Sequence, residues 1–385
     1  MPSGFSKNQF KNFSLATAAN FFFFCNFSSF FLLPLYIKEL GGNEADIGFV
    51  MGSFGITSLG AIPFVAYMLD KYGRRRFMLL GYAVMFFASL SFIFVNEISS
   101  YIYLLRLIQG VSFAFAFTSA GTFVTDYIPA ERRAYGLGIF SAFTIASYAI
   151  GPSLGELVIE YFGYLTFFLY ASVFSLLSLI LVIFTRDGEF ESSTDRFGLG
   201  FFRLIGSRRF SLILFSNLIL AGGLGAILNF VAAFLRSKEF PAYYFFLTYT
   251  ITVTAVRIFG GQVSDRVGRK VIASPGLLVV SIALGSMYFV TSPLTAVLVA
   301  FLYSFGYGFL YPTLSALIID KAGPDERGKA MGAFNASYSM GINFLAFPFG
   351  IIARDYGYEA MYIVAGIMVF FGFLIFTLFE SEDSS

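Results

Sequence analysis

The run Asp70-Lys71-Tyr72-Gly73-Arg74-Arg75-Arg76 returns 195 residues later as Asp265-Arg266-Val267-Gly268-Arg269-Lys270. A second set keeps the same shift, Pro129, Glu131 and Arg132 recurring as Pro324, Glu326 and Arg327. Six identities at one offset, set between long apolar runs, restrict the chain to two equivalent halves in the same orientation. One Asp-x-x-Gly-Arg would be a charged turn. Two in register are an architecture.

The medium follows from composition. Of 385 residues 57% are hydrophobic and 12% charged, against about 25% charged in ordinary soluble domains. Phe alone supplies 54. A soluble core of this length could not hide that surface, so lipid solvates most of it. Apolar stretches of about 20 residues, each enough for a helix to cross about 30 Å of hydrocarbon, recur along the whole length. Helices are predicted near 13–37, 46–69, 77–95, 101–125, 135–160 and 164–185, then near 210–235, 242–263, 271–291, 295–319, 329–353 and 358–379. The chain therefore reads as an all-α integral membrane protein of twelve spans. An N-terminal six-helix half (1–185) and a C-terminal half with a short tail (210–385) flank a polar linker at 186–209.

Charge sets the orientation. With both termini inside, inner segments hold 19 of the 25 Lys and Arg. The outer loops hold four (Lys38, Arg236, Lys238, Arg354), and Arg106 and Arg257 fall within spans. Positive charge stays cytoplasmic, so both termini and both copies of the repeat are expected on that face of the plasma membrane. The apolar segment after Lys7 and Lys11 is too long for a signal-peptide core.

Several functions are excluded. A net charge of +2 suggests no nucleic-acid partner. Single Cys25 and the absence of His leave no intramolecular disulfide, no thiolate metal cluster and no imidazole ligand or proton shuttle. With no nucleophile–base pair either, the chain is not expected to be an enzyme or to carry a metal or cofactor. No Gly-x-x-x-x-Gly-Lys-Ser/Thr loop is present, so ATP is not the energy source.

These residues resemble the major facilitator superfamily of secondary transporters along nearly the whole chain. The family's signature after its second helix, Gly-x-x-x-Asp-Arg-x-Gly-Arg-Arg/Lys, is matched fully by Gly261 through Lys270. The first copy has Ala66 for the leading Gly and Lys71 for Arg. The resemblance implies two parallel six-helix halves that rock about a midplane site. It also implies that bridges around Asp70, Gly73, Arg74, Asp265, Gly268 and Arg269 latch the cytoplasmic side in one state and open in the other. A carboxylate there can cap a neighbouring helix or pair with arginine, while glycine permits the turn. Asp126 and Asp320 end the fourth and tenth spans as further partners for Arg74 and Arg269. Positive-inside anchoring is the plainer reading.

Arg106-Leu107-Ile108-Gln109-Gly110 in the fourth span is similar to the family's Arg-x-x-Gln-Gly motif. An arginine there costs about 2.5–3.5 kcal/mol and usually faces protein or water; Arg106 could also snorkel, lying roughly 8 Å below the outer boundary. Gly151-Pro152-Ser153-Leu154-Gly155-Glu156 looks like a fifth-span motif associated with exporters, with Glu156 replacing its last Gly. Glu156 lies at the same depth as Arg106, so an Arg106–Glu156 ion pair is expected, each group offsetting the other's desolvation. A lone snorkelling Glu is the alternative. Arg257, eight residues before Asp265, is expected to line the lower cavity or reinforce the gate.

The resemblance places the first, fourth, seventh and tenth spans around the cavity. Candidate substrate contacts are then Asn20, Asn26 and Ser29, Gln109 and Ser112, Asn217 and Asn229, and Tyr303, Tyr307 and Tyr311 at i, i+4, i+8 on one face. Each aromatic could equally be packing. A membrane proton carrier should be an acid with a raised pKa, and Glu156 is the acid placed well inside a span. The expected function is proton-coupled secondary transport of a small organic solute by a monomer in the bilayer, directed outward. A solute importer or uniporter is the nearest alternative. A transporter-like sensor is the other, although the short tail from Glu380 to Ser385 argues against it.

Overall fold

The computed structural model describes residues 5–129, 132–187, 208–323 and 326–379, the side chains at 63, 66, 67, 70, 134, 208 and 259–266 lying outside that description. Glu131, Pro324 and nearly all of the expected linker at 186–209 fall outside the described residues, as do the side chains of Asp70 and Asp265.

Among the described residues twelve α-helices follow one another: α1 (Lys7–Ser29), α2 (Leu33–Glu39), α3 (Glu44–Tyr72), α4 (Arg74–Ser91), α5 (Ser100–Tyr127), α6 (Arg133–Ile183), α7 (Arg208–Ser237), α8 (Tyr243–Val267), α9 (Arg269–Ser286), α10 (Pro293–Lys321), α11 (Arg327–Phe344) and α12 (Ala346–Phe379). Each of the twelve expected stretches falls on helix, though helices and spans do not coincide one to one. The first span is α1 and α2 joined by a 3₁₀ turn. Two spans share α6 and are parted at Gly163 (φ 79°), and Gly357 (φ 88°) parts α12 in the same way. At positive φ a Cβ meets the following carbonyl, so glycine turns the chain there without breaking the helical ladder for long. Among the described residues nine stretches are long and apolar enough to cross a membrane.

Local chemistry explains the starts. Ser6 and Gln9 form a reciprocal capping box at α1, and Ser292 and Thr295 do the same at α10. Gly73 (φ 88°) and Gly268 (φ 108°) precede α4 and α9 without a capping side chain. At α4 the missing cap is supplied from a distance: Asp187 Oδ1 accepts from the Arg75 N–H at 2.9 Å, a carboxylate set at a helix N-terminus.

The chain forms two compact units, residues 1–36 with 56–196 and residues 37–55 with 197–385. The sequence division put 37–55 in the N-terminal half, and the contacts of α3 give the reason it clusters otherwise. A Cβ on Gly48 would strike the Ala346 carbonyl oxygen and lie 2.9 Å from Gly350 Cα, and one on Gly52 would lie 2.9 Å from the Asn343 carbonyl oxygen. The N-terminal part of α3 thus lies backbone-to-backbone on the α11–α12 junction, as small residues allow.

Inside each unit the same neighbours recur. In the first, α1 packs on α6, α4 on α5 and α4 on α6; in the second, α7 packs on α11, α9 on α10 and α9 on α12. The first unit's core is aromatic, with Phe23, Phe24, Phe123 and Tyr82 buried among methionines and alanines. Large apolar side chains remain exposed on the outside, Phe87 at 62% and Phe371 at 56%. Water would not tolerate so many, and hydrocarbon would.

Candidate functional site

The duplicated turn brings charges together in each unit. Arg74, in the first turn of α4, is ion-paired with Asp126 at the end of α5. Arg269 Nε, in the first turn of α9, lies 3.1 Å from Asp320 Oδ2 at the end of α10. An arginine is unfavourable at a helix N-terminus, and the carboxylate of the neighbouring helix compensates it. The two pairs differ in solvation: side-chain exposures are 11% and 31% for Arg74 and Asp126, but 26% and 55% for Arg269 and Asp320. Next to the first pair, the Arg75 guanidinium donates to the carbonyls of Ile183 (2.8 Å) and Val182 (3.3 Å), a cation on a helix C-terminus.

Deeper in the first unit Arg106 and Glu156 are both buried, at 4% exposure each. Arg106 Nη1 donates to Gln109 Oε1 (3.0 Å), Gln109 Nε2 to Ser89 Oγ (3.3 Å), and Asn26 Nδ2 to Ser89 Oγ (2.9 Å) and the Ala171 carbonyl (2.7 Å). One polar chain therefore ties α5, α4, α1 and α6, four helices in a single unit. In a low-dielectric interior such a network fixes orientation strongly, because every broken link leaves a buried group unsatisfied. Gly151 seats α6 against α1 nearby: a Cβ there would collide with Ser28 Oγ and lie 2.6 Å from the Cys25 carbonyl oxygen.

The other candidate asparagines also hold helices together. Asn20 Nδ2 donates to Thr144 Oγ1 (2.8 Å), joining α1 to α6. Asn217 Nδ2 donates to the Phe334 carbonyl and Ser337 Oγ, both at 2.8 Å, and Asn229 Nδ2 to the Ile342 carbonyl at 3.1 Å, joining α7 to α11. Ser112 Oγ bonds the Gly81 carbonyl and Ser29 Oγ the Cys25 carbonyl. These amide and hydroxyl donors are engaged with protein acceptors.

The second unit gathers tyrosines. Tyr303 and Tyr307 of α10 stack with centroids 6.0 Å apart, and Tyr249 of α8 lies 6.0 Å from Tyr307. The Tyr307 and Tyr338 hydroxyls are hydrogen-bonded to each other. Tyr311 meets Tyr338 edge-on at 5.1 Å and donates to Asn335 Oδ1 at 3.4 Å. The Arg257 guanidinium lies over the Tyr311 ring, 5.6 Å from its centroid. Tyr338 and Asn335 were not among the sequence candidates. Their i, i+3 spacing in an apolar span was the available signal, and so was Ser89 facing the amide-rich first span.

Comparisons place these features in company. The profile of the Major Facilitator Superfamily matches residues 15–342 and 242–385. The multi-drug resistance efflux pump PmrA of Streptococcus pneumoniae is 26% identical over 361 residues, covering 89% of each chain. Among solved structures, the nucleoside transporter NupG, in a mutant form, superposes with a TM-score of 0.86 at 14% identity, over 96% of this chain and 100% of its own. The human organic anion transporter MFSD10 (TETRAN) gives 0.71 at 16% identity, again over 96% and 100%.

Proposed function

This chain belongs to the major facilitator superfamily of membrane transporters, and from that premise we propose that it exports a small organic solute by proton-coupled alternating access. The observation that carries the reading is the duplicated latch: Arg74 with Asp126 and Arg269 with Asp320, each behind a positive-φ glycine. The more solvated Arg269–Asp320 pair is suited to break and re-form as helices reorient, since solvated ion pairs differ little in free energy from their separated partners, and in the Arg74 pair the carboxylate stays partly exposed. Outward direction is supported by likeness to a named efflux pump and by the close Gly151 contact in the exporter-like motif. The Lys and Arg distribution supports termini on the cytoplasmic side of the plasma membrane. We assign proton coupling to Glu156, a carboxyl group buried in α6, with Arg106 as the cation whose charge it balances in its ionised form.

Reconstitution into proteoliposomes tests this, with efflux of a panel of anionic, neutral and cationic aromatic solutes followed with and without an imposed pH gradient. Transport should accelerate with the gradient. Glu156→Gln should keep solute binding and lose the acceleration. Binding without flux in the wild type would overturn export in favour of a sensor, and flux indifferent to the gradient would overturn the coupling.

A further inference from the structure

Arg257 is a cation with an unusual setting. It lies within α8, eight residues or about 12 Å before Asp265 along the helix. Among the described residues, no carboxylate lies within ion-pairing distance of it. What surrounds it is phenolic: the Tyr311 face at 5.6 Å and the Tyr307 hydroxyl, itself bonded to Tyr338. Its Nε is buried and, among the described residues, has no hydrogen-bond partner, as holds for the Nε of Arg74 and Arg106 too, so what sets Arg257 apart is the lack of a carboxylate or amide oxygen. Arg74, Arg106 and Arg269, by contrast, each hold a carboxylate or amide oxygen.

A charge inside a span costs several kcal/mol on its own, and a cation–π contact with one tyrosine returns about 0.5–2 kcal/mol. The group that would complete the site is an acceptor carrying negative charge. A neutral ligand would leave the cation uncompensated, and a cationic one would be repelled by it. Meanwhile the face of Tyr311 provides flat apolar contact next to the charge, and the buried Tyr249 and Tyr303 rings hold Tyr307 in place. We propose that Arg257, with the hydroxyls of Tyr307 and Tyr338, binds the acidic group of an organic monoanion whose flat apolar body packs on Tyr311. The proposal rests on the transport reading and names its substrate class.

The test is equilibrium binding to the full chain in nanodiscs. The probes share one ring system: 2-naphthoate and 2-naphthalenesulfonate, against neutral 2-naphthamide and cationic 2-naphthylmethylammonium. Both anions should bind about tenfold tighter than the amide or more, the scale of one charge-assisted bidentate contact. Arg257→Gln should abolish that preference, Arg257→Lys should keep part of it, and Tyr338→Phe should weaken the anions a few-fold and leave the amide alone. Melting temperatures near wild type would show that the variants are folded. Equal binding of anion and amide, no anion binding, or a preference surviving in Arg257→Gln would overturn the proposal. If that variant does not fold, unchanged anion affinity in both Arg257→Lys and Tyr338→Phe overturns it. The two readings fail separately: anion binding without any flux leaves this site standing and sinks export, whereas solute flux with no anion preference sinks this site alone.

Discussion

Arg106 and Arg257 are both arginines inside spans of one repeated fold, and their surroundings have diverged. Arg106 is closed into a chain of amide and hydroxyl groups that crosses four helices. Arg257 rests on the Tyr311 ring, with no carboxylate within ion-pairing distance among the described residues. The first arrangement fixes helices against one another; the second leaves a cation among phenols, where the proposed anion would bind. The repeated frame is the same in both halves, and the polar interiors built on it differ.

The contrast breaks first at Gln109. Gln109→Leu removes the acceptor held by a fully buried guanidinium, a loss on the order of 3 kcal/mol because a charged donor is involved. Thermal unfolding in detergent should show the largest destabilisation of this series, whereas Asn335→Leu beside the Arg257 cluster should leave the melt close to wild type. Equal melts for the two variants would mean that the first network is no more structural than the second.

Next come the asparagines. Asn26→Leu loses the bonds its amide donates to Ser89 and the Ala171 carbonyl, and Asn217→Leu those to Ser337 and the Phe334 carbonyl, each costing about 2 kcal/mol. The expected outcome is a matched drop in melting temperature with solute affinity unchanged in whatever protein remains folded. An affinity loss without a stability loss would return these residues to the substrate.

The sequence made some of this legible and concealed the rest for physical reasons. Span positions follow from the length of an apolar run, and the turn glycines follow from the repeat, since helix length and positive φ are local properties. The acidic partners Asp126 and Asp320 were readable because the duplication pairs the ends of adjacent helices. The destinations of Asn20, Asn26 and Asn217 were not, because an amide in a span bonds either a ligand or a facing carbonyl depending on helix rotation, which composition does not encode. Nor was the clustering of 37–55 with the second unit. The spacing of Gly48, Gly52 and Gly55 announces a close contact, but the partner at Asn343 to Gly350 is nearly 300 residues away in sequence.

The two latches give a smaller, graded effect. Asp126→Asn should destabilise by about 1 kcal/mol, and Asp320→Asn by a few tenths, because the second pair is more exposed and better screened. Raising the salt concentration should shrink the second effect further and the first hardly at all. A larger cost for Asp320→Asn would reverse the assigned order of burial.

The finest distinction is in the backbone, at the turns that follow the first and seventh spans. Gly41 N–H bonds the Lys38 carbonyl and Gly42 N–H that of Ile37; Glu239 N–H bonds the Arg236 carbonyl and Phe240 N–H that of Leu235. Both are the same C-terminal helix stop, with the left-handed position taken by Gly41 at φ 81° in one and Glu239 at φ 62° in the other. A side chain in that conformation costs about 1–2 kcal/mol, offset by about 0.5–1 kcal/mol of chain entropy that glycine forfeits on folding. Glu239→Gly should therefore stabilise by about 0.5 kcal/mol, and Gly41→Glu should destabilise by a similar amount. Opposite signs from the two exchanges would show that the halves share one turn and differ only in how well each sequence suits it; matching signs would mean that the turns are not equivalent.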